Sequence, residues 1–286
     1  AAHGADRVHT GYDALANDPD VDVVYIATTS AQHRDHAELC LRGGRHVLCE
    51  KPLTTSVADS QALIACARAH DRFLMEGMWT RFLPVYRTVR AWIDEGRIGR
   101  VCGLRGDFAS AIDPQRSPRH FDPALGGGAL LDLGVYPVAM AFWLFGAPLR
   151  CTPCLRFGPT GVDVQGTLVL DHRGGEQSTC IVGMEGFGSH DLHLYGSTGS
   201  IRVPGAWWAK EAHLYHGYDL VETATPDQLA SGYAYEAMEV MRCLRAGLRE
   251  SPGMPLDESL GIARCLEEAL TGTGRGVTAG EVIRDD

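Results

Sequence analysis

Between Val21 and Met75 the sequence alternates short apolar runs with helical stretches, and no other feature restricts the fold as strongly. A brief helix around Tyr12-Asp13-Ala14-Leu15 ends in the turn residues Asn17-Asp18-Pro19-Asp20. The next run, Val21 to Ala27, is apolar without alternation, as in a parallel strand buried on both faces. Ala37, Leu39, Cys40 and Leu41 fit a helix closed by Gly43-Gly44, and His46 to Cys49 reads as a second strand. A helix over Val57 to Ala69 then leads to a third strand at Arg72 to Met75. Strand, helix, strand at this spacing predicts successive βαβ units in one parallel sheet.

After Trp79 the pattern changes. A helix from about Val85 to Glu95 precedes a strand-like segment from Val101 to Ala109. The turn Gly126-Gly127-Gly128 opens an apolar helix that reaches Phe145 and Gly146. From Arg150 to about Pro204 there are strand-length runs separated by glycine-rich turns: Val162 to Leu170, Ser178 to Met184, Leu192 to Tyr195 and Ser200 to Val203. These predict an antiparallel sheet, and two amphipathic helices, Tyr233 to Leu248 and Asp257 to Ala269, finish the pattern. The chain therefore reads as α/β, in two parts: residues 1–78 in the parallel unit and 79–286 in a second unit.

Composition removes several functions. The 286 residues are 45% hydrophobic, enough for a substantial core, and the net charge of −10 leaves no basic stripe to grip nucleic acid or an anionic membrane. No apolar run is expected to reach the roughly 20 residues of a membrane span. The nine cysteines stand singly apart from Cys151-Thr-Pro-Cys154, which without a second pair suits ordinary thiols better than a metal or redox site. That usage suggests a reducing, cytoplasmic setting.

The chemistry-bearing residues fall in three places. In Cys49-Glu50-Lys51-Pro52 a charged pair leaves an apolar strand, and the carboxyl ends of strands in an open parallel sheet face the ligand crevice. Lys51 would stand in that crevice, although a solvated ion pair after a strand fits the same residues. Asp132 and Tyr136 are four residues apart, on one face of a nearly all-apolar helix where a lone carboxylate is costly to bury. With Lys51 beside it, Tyr136 would release its proton more readily than a free phenol and exchange it with a substrate hydroxyl. The alternative is a packed core tyrosine with Asp132 as a capping or inter-domain charge. Pro137 removes a donor from this helix and predicts a kink near Leu133. Third, Met75-Glu76-Gly77-Met78-Trp79-Thr80-Arg81-Phe82 runs from a strand into a polar, aromatic loop, where Trp79 and Arg81 would line a pocket for a polyol or planar ring; core packing suits Trp79 equally. His33 and His36, three apart, lack a third metal ligand, and His33 is instead a candidate for the crevice.

Glu50-Lys51-Pro52, Trp79-Thr80-Arg81-Phe82 and Gly-Gly-Gly-Ala-Leu-Leu-Asp132-Leu-Gly-Val-Tyr136, in that order, resemble the Gfo/Idh/MocA oxidoreductase family, and within it the dimeric dihydrodiol dehydrogenase and glucose-fructose oxidoreductase branch. The similarity extends to Tyr235-Glu236-Ala237, Ser251-Pro252 and Pro255-Leu256. It implies a Rossmann domain followed by an α/β domain whose large, open, mostly antiparallel sheet often forms a dimer interface. It also implies hydride transfer between NADP or NAD and a sugar, polyol or diol carbon. Carried over by motif, Lys51 would hold the substrate oxygen, Tyr136 would be the general acid/base and Asp132 would position either. Thr28, Thr29, His33, Glu50, Lys51 and Pro52 would lie at the cofactor, and Trp79, Arg81 and Trp207 at the substrate. Trp207-Trp208, expected in a loop after the sheet, would cap the pocket or form an oligomer contact. Many relatives carry histidine where Tyr136 stands, so the proton donor here would be a phenol.

One family element is not found in the sequence: the strand, Gly-x-Gly-x-x-Gly turn and helix that seat the pyrophosphate. The Rossmann domain is therefore expected to be incomplete, short of about two strands and one or two helices. Two other readings remain open, a cofactor-retaining glycosidase-like or sugar-coupling enzyme and a redox-silent metabolite-binding or partner-binding protein.

Overall fold

The computed structural model describes residue 4, residues 6–229 and residues 231–272. Its first unit begins with α1 (Tyr12–Ala16) and continues through β1 (Val23–Ile26), α2 (His33–Arg42), β2 (His46–Glu50), α3 (Val57–Ala69) and β3 (Leu74–Gly77). The three strands pair in parallel in chain order. The third strand lies two residues later than the sequence predicts. Arg72 instead closes the α3 turn through its N–H to Ala67 O, so pairing starts once that turn is complete. Ser56 and Asp59 cap α3: the Asp59 N–H donates to Ser56 Oγ at 3.1 Å and the Ser56 hydroxyl to Asp59 Oδ2 at 2.8 Å.

The apolar runs lack alternation because both sheet faces are covered. Val47, Cys49 and Leu74 pack into a cluster with Ala37, Leu41 and Leu63, whereas Leu48 and Met75 turn the other way and join the larger core built by the rest of the chain. Burying both faces locks the parallel unit onto the second part of the molecule.

That second part starts with α4 (Pro84–Asp94), with proline at its first turn, and β4 (Val101–Ala109). After the helical segment Leu130–Gly134 and α5 (Val135–Phe145) come β5 (Arg150–Phe157), β6 (Asp163–Asp171), β7 (Gln177–Gly183), β8 (Leu192–Gly196), β9 (Gly199–Val203), β10 (Ala212–His216) and β11 (Asp219–Ala224). The sheet order is β11-β10-β9-β8-β4-β7-β6-β5, antiparallel except where β4 runs parallel to β7. It extends two strands past Pro204, because the chain turns back at Trp207 and adds β10 and β11 to the β9 edge. The last helices are α6 (Tyr233–Arg245) and α7 (Leu256–Thr271); α7 packs on α3 and β3 as well as on α5 and β5.

One sheet face is dry. Leu168, Leu170, Cys180, Leu192, Leu194 and Ile201 enter the core with α5, while Thr167, Val169, Thr179, Ile181, Tyr195 and Tyr215 on the alternate positions face away. The core helix also corrects an expectation. The helical path Pro123–Phe145, 23 residues long, is apolar enough to cross a membrane by length and composition, yet 78% of its apolar window is buried inside the fold. An apolar run of that length needs no bilayer once a sheet and two helices surround it.

Candidate active site

The helix that carries Asp132 and Tyr136 is irregular, and the irregularity serves the site. Leu130–Gly134 is a π-helical turn, placed where Pro137 was expected to disturb the helix. Pro137 has no N–H to give this turn, and the Asp132 carbonyl takes its donor from Lys51 Nζ at 2.6 Å. The segment begins at Gly128, whose φ of +122° few other residues adopt, and a Cβ there would fall 2.3 Å from Asp163 Oδ1. Asp163 is buried and accepts the Leu130 N–H at 2.7 Å, closing the helix start; burial pushes its carboxyl up to about 6.

Lys51 leaves the carboxyl end of β2 through a cis Lys51–Pro52 bond and reaches across to this turn. Its ammonium donates to Asp132 Oδ1 at 2.8 Å as well as to the carbonyl, and stands 4.8 Å from the centre of the Tyr136 ring. The other Asp132 oxygen lies 3.1 Å from His120 Nε2. Burial opposes the Asp132 charge, but the His120 hydrogen bond and the Lys51 charge outweigh it and hold the carboxyl well below the usual range. The Tyr136 hydroxyl accepts from Trp79 Nε1 at 3.1 Å, and the Trp79 ring stacks on Tyr233 at 4.6 Å.

Lys51, Asp132, His120, Tyr136 and Tyr233 share one cleft of about 680 Å³; Trp79, expected at the substrate, is instead buried against Tyr136 and Tyr233 and does not line it. Thr28, Thr29, Ser30 and His33 supply one wall and Glu50, Lys51 and Pro52 the floor, all beyond the carboxyl ends of β1 and β2; Asp132, Tyr136, His120, Arg119 and Tyr233 face them. Gly126 lets the two walls meet: a Cβ there would strike Ser30 Oγ at 2.4 Å, and Ser30 Oγ donates to the carbonyls of Leu125 and Gly126. His33 is buried, with Nδ1 2.9 Å from Pro52 O and Nε2 3.2 Å from Thr28 O, so it ties the β1 loop to the Lys51–Pro52 turn while lining the cleft. Burial lowers its pKa.

Residues 2–78 match the oxidoreductase family with an NAD-binding Rossmann fold, and residues 86–202 the GFO/IDH/MocA C-terminal domain. The trans-1,2-dihydrobenzene-1,2-diol dehydrogenase of Xenopus tropicalis is 35% identical over 280 residues, 95% of this chain and 84% of the relative. The human enzyme of the same name is 34% identical over 282 residues, 95% of this chain and 83% of its own. This chain belongs to the Gfo/Idh/MocA oxidoreductase family. Among solved structures, a 3-ketoreductase from Actinomadura kijaniata in complex with NADP and TDP-benzene superposes with a TM-score of 0.83 at 30% identity, covering 93% of this chain and 82% of that one. As a member of the family the chain is an NAD(P)-dependent oxidoreductase acting on CH–OH groups.

Within the Gfo/Idh/MocA fold, three expectations from sequence change. Tyr136 is not tuned toward phenolate: burial, joined by the negative charges of Glu50 and Asp132, raises its pKa, and the Trp79 hydrogen bond only partly offsets this. Lys51 cannot reverse the sign because its ammonium sits over the ring and is engaged by Asp132. Arg81 does not line the cleft; it is buried, donating to Ala139 O at 2.6 Å and to Glu258 Oε1 at 2.5 Å. Trp207 lies in the turn Ala206–Trp208 between β9 and β10, not in a loop beyond the sheet, and is buried behind the site. It stacks on Phe108 at 5.5 Å, meets the Tyr136 ring at 5.8 Å and donates to Asp107 O, so it braces the tyrosine without capping a pocket.

Sequence reasoning missed His120, Arg119 and Tyr233. His120 and Arg119 lie in the irregular turn Pro118–Phe121, where neither periodicity nor spacing marks them. Tyr233 opens α6, 97 residues from Tyr136, and only its neighbours in the Tyr235-Glu236 motif hinted at that region.

Proposed function

We propose that this protein transfers a hydride between NADP or NAD and a hydroxyl-bearing carbon of a dihydrodiol, aldose or related polyol, with Tyr136 as general acid/base. The observation that carries this reading is the placement of Lys51, Asp132 and Tyr136 opposite the strand-end residues Thr28, Thr29, Glu50 and Pro52 in one cleft. The cleft suits a nicotinamide: it lies where open α/β sheets bind ligands, and the polar side chains of Thr28, Thr29, Glu50 and Lys51 line it. Thr28, Thr29, His33, Glu50, Lys51 and Pro52 would hold that end of the dinucleotide, which when bound gives or accepts the hydride.

The chain's own groups handle the proton. A buried phenol with a raised pKa stays protonated at neutral pH, so Tyr136 is poised to give its proton to the oxygen of a bound carbonyl compound. In the reverse direction it takes the hydroxyl proton, more readily as pH rises. Lys51 has two of its three N–H groups on Asp132, and the third is available to hold the substrate oxygen. Asp132 and His120 fix that ammonium.

Spectrophotometry with NADP and NAD against a trans-dihydrodiol, xylose, glucose and a polyol panel should show cofactor reduction with at least one of them. Cofactor binding seen by fluorescence, without turnover on any, would favour a redox-silent binding protein. The open sheet face with Val169, Ile181, Tyr195 and Tyr215 would carry a homodimer. Sedimentation should then give twice the chain mass, with Ile181→Arg monomeric; a monomeric native protein removes the dimer.

A further inference from the structure

Behind Tyr136 stands a carboxyl group with no part in the proton transfer between phenol and substrate. Glu236, on the first turn of α6, is 1% exposed, and its Oε2 has no hydrogen-bond partner. That oxygen lies over the ends of β2 and β3: a Cβ placed on Gly77 would sit 3.3 Å from it and 3.4 Å from Glu50 Cα. A side chain at 77 would have to push Glu236 or the β2 backbone aside by a few tenths of an ångström. Glu236 thus sits at the strand end that carries Glu50, near enough for the Glu50 charge to act on it.

The two carboxyls are treated differently. Glu50 receives the Tyr25 hydroxyl on Oε1 and the Lys51 N–H on Oε2 at 3.2 Å. Glu236 receives neither a donor nor an ion pair among the described residues. The groups around it are Tyr25 on β1, Glu50 on β2, Tyr136 on α5 and Tyr233 on its own helix, while β3 offers only Gly77. The cations nearby are committed elsewhere, Lys51 to Asp132 and Arg81 to Glu258. A charge taken from water with no donor, beside a second negative group, is strongly disfavoured against the neutral acid.

We propose that Glu236 and Glu50 form an acid pair behind Tyr136 in which Glu236 keeps its proton, making Glu236 a positioning residue that sets the charge against which Tyr136 exchanges protons. The inference rests on the reading of Tyr136 as acid/base. Burial first, and then the Glu50 charge, push the Glu236 carboxyl up to about 8. Below that pH one negative charge stands behind the phenol; above it there are two. The second charge makes it harder for Tyr136 to give up its own proton, so the gain in oxidation rate with rising pH is checked once Glu236 ionises.

Two readouts test the pair with full-length protein. In infrared difference spectra the native protein should show a protonated-carboxyl carbonyl band at pH 7 that bleaches through a midpoint of about 8, and Glu236→Gln should lack it. In steady-state oxidation with a saturating nicotinamide cofactor, log kcat of the native enzyme should bend over above that midpoint, whereas Glu236→Gln should keep rising. Native protein without a band assignable to Glu236 overturns the proposal. So does a Glu236→Gln profile that superposes on the native one. Tyr136→Phe separates the two readings: it should abolish the kinetic profile while leaving the band, and a Tyr136→Phe enzyme that turns over normally refutes the acid/base role without touching the pair. If Glu236→Gln does not fold, Glu236→Asp must return both the band and the bend at a displaced pH; a band that stays in place assigns it to another carboxyl and overturns the pair.

Discussion

Tyr136→Phe should lower kcat by about 10²- to 10⁴-fold, the usual worth of a positioned proton donor. Cofactor affinity measured by fluorescence titration should be unchanged, because the lost oxygen is hydrogen-bonded to Trp79 and to none of the strand-end residues. The variant also strands a donor. Trp79 Nε1 is buried and its partner is the Tyr136 hydroxyl, so a cost of about 1–3 kcal/mol in stability accompanies the kinetic loss. The ring itself remains packed against both Phe108 and Trp207, which keeps the helix in place. A large fall in kcat with a small fall in Tm is therefore the expected signature. Near-native kcat in folded Tyr136→Phe would leave the phenol a packing residue and return the proton transfer to another group.

The direction of the Tyr136 shift shows where sequence reasoning stops. Lys51, Asp132 and Tyr136 were legible because each sits at a position that periodicity defines: the end of a buried strand, and two places one turn apart on an apolar helix. The sign of the tyrosine's pKa was not legible, since it depends on Glu50 and on an ammonium whose height above the ring no spacing encodes. Arg81 and Trp207 mislead for a related reason. A charged or indole side chain near a motif looks like a ligand contact, but Glu258 lies 177 residues from Arg81 and Asp107 lies 100 residues before Trp207, and these distant partners decide burial. The two last strands escaped because the Ala206–Trp208 turn, read as a loop at the end of the sheet, is a reversal within it. Strands and helices follow from local pattern, whereas the loops that complete the cleft, Pro118–Phe121 above all, are held by contacts far apart in sequence.

Lys51→Met should harm both stability and turnover, and pH separates the two effects. Removing the ammonium leaves the half-buried Asp132 with His120 as its remaining partner. Breaking one side of such a pair costs about 3–5 kcal/mol; the low end, about 3, suits a pair that is not completely buried and keeps a second partner. At about 2–4 °C per kcal/mol for a chain of this size, Tm should fall by roughly 6–12 °C at neutral pH. The folded state holds the Asp132 carboxyl below its unfolded value, so its stabilisation is complete above the ordinary carboxylate range and is lost as pH falls through the lowered folded value. In the variant that lowering is weakened and the loss begins at higher pH. The Tm gap between native protein and Lys51→Met should accordingly be widest near neutrality and shrink in acid, once Asp132 is protonated in both. A gap independent of pH would mean that the methionine acts through packing and that the Lys51–Asp132 pair adds nothing electrostatic. If instead the gap closes in acid while kcat at neutral pH stays native, the pair holds the helix turn in place and the substrate oxygen takes its hydrogen bond elsewhere.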